Sequence, residues 1–284
     1  MSRAAVVIVI GCLLFAIVAA QPIKIVIKGS DTLVKLGQEW ARVYMAEHKN
    51  VLIHVSGGGS GRGVTALLAG ETDICEASRD MTDEEYAEAE RSGVSPVRIP
   101  VALDGIVVFV HQSNPVNRLS FDQLQKIFTG EIINWKDVGG KFDRIALYGR
   151  QSVSGTYAYF KHQVLRQSDY AASLQALPGT AAVVEAVAKD THGIGYGGIT
   201  WVSDVKYIAV SRSDSTAPIL PVPETIADGS YPISRPLYWF FNNTPTGELK
   251  QFVNWALGKD GQRIAERLHY VPLPDSTARA NMIP

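Results

Sequence analysis

Cysteine is almost absent from this chain. Only Cys12 and Cys75 occur among 284 residues. Cys12 lies in an apolar leader, so the rest of the chain has no internal disulfide available and must stand on its core. Cys75, in T-D-I-C-E-A-S, reads as a buried structural thiol. An excess of one charge is also lacking: 27 Lys and Arg face 28 Asp and Glu, with no basic run, which argues against nucleic acid as the main partner. The six histidines (His48, His54, His111, His162, His192, His269) fall in no triad-like or metal-ligating spacing, so no metal and no cofactor is expected. Internal repeats and low-complexity tracts are missing too. Gly58 to Gly63 has the glycine spacing of a Walker A loop, but Val64 and Thr65 follow where Lys and Ser/Thr are needed. G-x-S-x-G, the hydrolase elbow, fails because residue 62 is Arg. Gly193-x-Gly195-x-x-Gly198 matches a dinucleotide spelling, but no good helix follows it.

What is present is enough apolar residue for a full core, 46% of the chain, in one large domain or two ordinary ones. The first 20 residues read as a targeting segment: Met1-Ser2-Arg3, then uncharged Ala4 to Ala20 ending in small residues. They form a signal cleaved near Ala20 or an uncleaved anchor, the run being at the lower limit for a span. Either way the chain is expected outside the cytoplasm, periplasmic or extracellular.

Three segments repeat one design. Ile23, Ile25 and Ile27 alternate in a strand ending at Gly29, after which Leu33, Leu36, Trp40, Val43 and Tyr44 mark one helical face. Ser30, Asp31 or Thr32 can cap that helix. Val51 to Val55 then runs into S-G-G-G-S-G-R-G and a helix with Val64, Leu67 and Leu68. Ile145 to Tyr148 runs into Gly149-Arg150, and Ser154-Gly155-Thr156 open a third helix. In open α/β sheets ligands bind at the carboxyl ends of strands, where helix N-termini offer N–H donors and positive potential. Three such turns, two with a nearby Arg (Arg79 and Arg150), point to a shared oxyanion site.

Elsewhere Thr82 to Arg91 reads as a capped acidic helix and S-F-D-Q-L-Q-K-I-F-T-G as a helix capped by Ser120. Residues 211–229 read as loop, and the C-terminal part as closing helices. V-R-I-P-V-A-L-D-G-I-V-V-F-V is longer than a usual strand, and Y-P-I-S-R-P-L-Y-W-F-F is a second long run. Two such crossings divide an α/β chain into a discontinuous lobe (21–102 with 232–284) and a continuous one (103–231), with the ligand in the cleft between them.

K-G-S-D-T-L (28–33), G-G-G-S-G-R-G (57–63), E-A-S-R-D-M (76–81), A-L-D-G (102–105), F-T-G-E-I-I-N-W-K-D-V-G-G (128–140), G-R-Q-S-V-S-G-T (149–156) and Y-P-I-S-R-P-L-Y (231–238) stand in this order. Together they resemble the phosphate-binding proteins of phosphate-specific ABC transporters, over nearly the whole chain from about Ile23 to Pro274. The resemblance implies a two-lobed, periplasmic-binding-protein-like fold of type II, with mixed sheets flanked by helices. It implies a non-enzymatic, monomeric carrier that closes over inorganic phosphate and delivers it to a membrane permease. By position it implies contacts from Ser30, Thr32, Leu33 and Ser60 on one side and Arg150, Ser154, Gly155 and Thr156 on the other. Many members carry an acidic residue where Arg79 stands, accepting the ligand proton. Here Arg79 is expected to add a second charge-assisted donor, and the acceptor falls to Asp31, Asp80 or Asp104. Two other readings stay open: a binder of sulfate, molybdate or tungstate, and a secreted hydrolase using Ser60 or Ser154, which would need a base within reach.

Overall fold

The computed structural model describes residues 21–201 and 203–284; the leader lies outside them. In the first part of the chain β1 (Ile23–Gly29), α1 (Val34–Glu47), β2 (Val51–Ser56), α2 (Ser60–Leu68), β3 (Ile74–Ala77) and α3 (Asp83–Arg91) alternate. The long strand β4 (Val97–Val110) leads to β5 (Arg118–Ser120), α4 (Phe121–Thr129), β6 (Ala146–Arg150), α5 (Gly155–Gln163), β7 (Gln175–Leu177), α6 (Gly179–Lys189) and β8 (Gly193–Gly198). The short elements β9 (Lys206–Tyr207), β10 (Ala209–Ser211) and α7 (Pro223–Ala227) precede β11 (Ser234–Phe241), α8 (Gly247–Leu257), α9 (Lys259–Arg267) and α10 (Asp275–Ala280).

Strands β2, β1 and β3 are parallel neighbours, so their carboxyl ends share one edge, and α1 and α2 begin there. Next to them β11 runs antiparallel to β3 and to the first half of β4. Fourteen residues long, β4 then leaves β11 and pairs through Ile106–Val110 with β8, which is followed by β6 and β7. One strand thus serves two sheet regions. The extended run anticipated this, because thirteen of its fourteen residues are half-buried or buried and both faces must be covered.

Two main apolar cores flank the switch in β4. One gathers Ile25, Trp40, Ile53, Val101, Trp239 and Phe252, among others. The second gathers Ile106, Leu124, Phe128, Phe160, Tyr196 and Ile233. Helix caps hold where the sequence placed them: Thr82 and Ser120 each form a capping box, with Glu85 and Gln123 answering. In the stretch read as loop, Ser211 ends β10, which pairs with β5, and Pro223–Ala227 is a short helix.

Candidate functional site

At the end of β1 the chain turns on Ser30. Its N–H donates to Glu76 O (2.8 Å), its Oγ accepts the Thr32 N–H (3.2 Å), and its carbonyl accepts from Leu33 and Val34. This turn delays α1 to Val34, with Leu33 as the N-cap residue, so the helix starts later than Thr32. Leu33 is fully buried in the first core, while Thr32 turns its hydroxyl toward the other lobe.

The glycine turn before α2 lies beside it. Gly59 sits at φ +103°, and a Cβ there would come within 2.6 Å of Val153 O. Only glycine accepts both conditions. From the same turn Gly61 N–H donates to Val153 O across the cleft (3.1 Å), and Gly58 N–H donates to Asp31 Oδ1 (2.7 Å). Ser60, completely buried, accepts the Ser78 N–H on its Oγ (3.0 Å).

Opposite stands the N-terminus of α5. Ser154 caps it, with Oγ accepting the Tyr157 N–H at 3.4 Å. Gly155 packs so close to α2 that an added Cβ would lie 2.3 Å from Ser60 Oγ. Thr156 Oγ1 is 3.2 Å from Thr32 Oγ1. Arg150, the last residue of β6, reaches across: Nη2 donates to Asp31 Oδ2 (2.6 Å) and Nη1 to Thr180 Oγ1 (2.9 Å). Its Nε is buried without a hydrogen-bond partner among the described residues. Burial pulls the guanidinium below the usual arginine pKa, and Asp31 works against that shift. A pocket of about 280 Å³ lined by Asp31, Gly58, Arg62, Arg150, Gln151 and Ser154 opens beside this group.

Ser30, Thr32, Ser60, Arg150, Ser154, Gly155 and Thr156 therefore come together from segments far apart in sequence. The donors they bring are hydroxyls, a guanidinium and the first-turn N–H groups of two helices. That set suits a small oxyanion.

Arg79 differs from expectation. It stays beside the glycine turn, but Nη1 and Nη2 form a fork with Glu85 (2.6 and 2.7 Å), and Nη1 also reaches Asp80 O. A guanidinium neutralised in this way is not a second charged donor into the cleft. Asp80, one candidate proton acceptor, is bound by Arg98, Tyr86 and the Met81 N–H on the outer side. The hydroxyl oxygens of Ser60 and Ser154 bond Ser78 and Tyr157, and among the described residues neither bonds a histidine.

The residue that sequence reasoning missed is Arg235. It stands on β11 directly across from Asp104 on β4, and both side chains are wholly buried. Nε and Nη2 donate to Asp104 Oδ2 (3.0 and 2.7 Å), and Nη1 donates to Ser78 O (2.8 Å). Burial raises the Asp104 carboxyl above its usual pKa, and Arg235 opposes that rise. A signal was available: a lone Arg in Y-P-I-S-R-P-L-Y-W-F-F and a lone Asp in V-A-L-D-G-I-V-V. Charged residues in apolar strands call for a partner.

Residues 17–260 match the PBP superfamily domain. A phosphate-binding protein PstS from Pseudomonas aeruginosa is 35% identical over 268 residues, covering 88% of this chain and 83% of that protein. One from Staphylococcus haemolyticus is 32% identical over 264 residues, covering 88% and 81%. A substrate-binding protein of Clostridium perfringens, solved with bound phosphate, superposes with a TM-score of 0.78 at 28% identity, over 88% of this chain and all of that one. The fold is thus the two-lobed periplasmic-binding-protein fold of type II. The chain belongs to the PBP superfamily and, within it, to the PstS phosphate-binding proteins.

Proposed function

We propose that this protein is an extracytoplasmic solute-binding protein that captures inorganic phosphate between its two lobes and hands it to an ABC transporter permease. One observation carries the reading. The N-termini of α2 and α5, borne by different sheet regions, abut at Ser60 and Gly155 with Arg150 buried beside them. Its relatives are phosphate-binding transport proteins, which fits a carrier with no chemistry to perform. The lobes in this reading are residues 21–102 with 232–284, and 103–231; the two main cores follow that division except at Ile233 and Val271, which pack in the second core. The carrier works as a monomer exported to the periplasm or cell surface. Among the described residues no helix is long and apolar enough to cross a membrane.

The ligand contacts are Thr32 and Ser60 from one lobe and Arg150, Ser154, Gly155 and Thr156 from the other. Because they span both lobes, the anion favours the closed state, which the permease recognises. Asp31 and Asp104 are the cleft carboxylates, each bound to an arginine. That pairing keeps a fully ionised anion such as sulfate, molybdate or tungstate as the second reading. Calorimetric titration with phosphate at pH 6 and pH 8.5, with sulfate and molybdate as competitors, decides between them. Phosphate binding that sulfate cannot displace supports the reading; preference for sulfate or molybdate refutes it.

A further inference from the structure

Arg235 does more than balance a buried charge. Its Nη2 donates to Thr156 Oγ1 (3.0 Å) and lies 3.4 Å from Thr32 Oγ1, and these two oxygens are 3.2 Å apart. The three groups form a triangle at the base of the cleft, with one corner on α5, one before α1 and one on β11. Nη1 extends the same fork to Ser78 O, the residue whose N–H holds Ser60 Oγ. The ring of Tyr159 lies 5.6 Å from the guanidinium carbon and covers it. Asp104 fixes the fork from behind through two bonds to one carboxylate oxygen.

The hydrogen count matters. A hydroxyl has one hydrogen to donate and two lone pairs to accept with. Arginine can only donate: one Nη2 hydrogen goes to Asp104, and the other points to Thr156 Oγ1 at 3.0 Å and is shared more weakly with Thr32 Oγ1 at 3.4 Å, so neither threonine hydrogen is used on Arg235. Of the two hydroxyl hydrogens, one lies between the threonines and the other remains for the cleft. Without Arg235, both hydroxyls could spend their hydrogens on each other or on backbone carbonyls in turn, and no donor would be fixed.

We propose that Arg235, held by Asp104, is a positioning residue that orients the Thr32–Thr156 hydroxyl pair so that it presents one hydrogen-bond donor to the bound anion. This rests on the phosphate-binding reading of the cleft. It goes beyond that reading by assigning a role to two buried charged residues outside the ligand contacts, and it predicts a particular pattern of coupling. Thr32→Val and Thr156→Val singly leave one hydroxyl, still oriented by Arg235, so each weakens binding by less than about threefold. The double variant removes the donor altogether and weakens binding about tenfold, more than the product of the singles, as for one lost hydrogen bond to an anion. Arg235→Lys keeps the charge beside Asp104 but replaces the fork with a single ammonium. It weakens phosphate binding about tenfold in the parent chain and less than twofold in the Thr32→Val/Thr156→Val background.

The test is calorimetric titration with inorganic phosphate of the parent, both single threonine variants, the double, and Arg235→Lys in each background, with thermal melts to check folding. Ser154→Ala serves as a control, since Arg235 does not touch Ser154 and its effect should multiply with that of Arg235→Lys. If Arg235→Lys weakens binding equally in both threonine backgrounds, Arg235 acts through bulk charge or stability and the proposal is overturned. If Arg235→Lys does not fold, the threonine variants decide alone: independent losses overturn the proposal, and the synergistic pattern supports it. A parent chain that binds no phosphate overturns the functional reading and this inference with it. A parent that binds while the coupling is absent overturns the inference only.

Discussion

Glu76 offers the sharpest test of the energetics around the site. It is fully buried on β3, its Oε1 accepts the Trp239 Nε1–H at 3.3 Å, and Oε2 has no partner among the described residues. Burial pushes its carboxyl up from 4.5 to about 8, with the Trp239 bond working in the opposite direction. The folded chain therefore holds a proton there while the unfolded chain, above pH 4.5, has released it. Its stabilising contribution is fully present below the unfolded value and is lost as pH rises to about 8. The slope is about 1.4 kcal/mol per pH unit, so the full loss is on the order of 4–5 kcal/mol. Glu76→Gln keeps an acceptor for Trp239 and cannot ionise. It should match the parent within about 1 kcal/mol near pH 4.5 and exceed it by several kcal/mol at pH 8.5. Asp104 is also raised by burial, but it is present in both chains and drops out of the difference. Urea unfolding of parent and variant at half-unit steps from pH 4.5 to 9 measures this directly. A stability difference that stays flat over that range would refute the account of Glu76 as a buried neutral acid. Because Glu76 O also accepts the Ser30 N–H, the parent should lose phosphate affinity as Glu76 ionises, and the variant should not.

Arg150→Met should weaken phosphate binding by about 10- to 100-fold, the loss of charge-assisted bonds in a buried site, with calorimetry as the readout; parent-like affinity would remove Arg150 from the site. Gly155→Ala places a methyl 2.3 Å from Ser60 Oγ and 2.6 Å from Ser78 Oγ in the closed form, so it should cost tenfold or more in affinity while the melting temperature stays within a few degrees. Small-angle scattering should then show that phosphate no longer compacts this variant. With Arg150, Arg235 and Arg79 each paired to a carboxylate, Arg62, exposed at the pocket and in no ion pair among the described residues, leaves the cleft a small net charge. Raising salt from 0.05 to 0.5 M should therefore change the phosphate Kd by less than about threefold, against a steep decline for an unpaired basic pocket.

The strand-to-turn-to-helix units were legible because the apolar period changes from two to near 3.6 within a few residues, at Gly29, Ser56 and Arg150. Ser154, Thr82 and Ser120 marked true N-caps for the same local reason. What stayed hidden depends on pairing between distant segments. Asp104 and Arg235 are 131 residues apart, and only the β4–β11 register brings them together. The pairing of Arg79 with Glu85, six residues away, is hidden for another reason: Glu85 serves both the capping box of α3 and the guanidinium fork. The glycines of G-I-G-Y-G-G are a buried strand. A Cβ at Gly195 or Gly197 would strike Val183 or Thr180, so small residues let α6 pack against β8.

The inter-lobe contacts in the cleft are few and polar. Gly61 N–H reaches Val153 O, Thr32 meets Thr156, Arg150 meets Asp31, and Arg235 meets Thr156. Each can be replaced by water when the lobes part; the two neutral bonds add about 1 kcal/mol each to closure and the two made by arginine about 1.5–3 kcal/mol each. Shifting a two-state equilibrium from 1:99 to 99:1 needs about 5.5 kcal/mol of preference for one state. An anion bonded by hydroxyls, helix N–H groups and Arg150 from both sides adds its preference to the closed state alone, on top of the cleft's own contacts. The pairing of Arg150 with Asp31 acts in the same direction. It satisfies the buried guanidinium without committing a large charge to closure, and it leaves Nε for the ligand. The opening and closing of this carrier is then governed by whether the anion is present, and Asp31→Asn, which removes the competing carboxylate, should populate the open form more in the absence of phosphate and less in its presence.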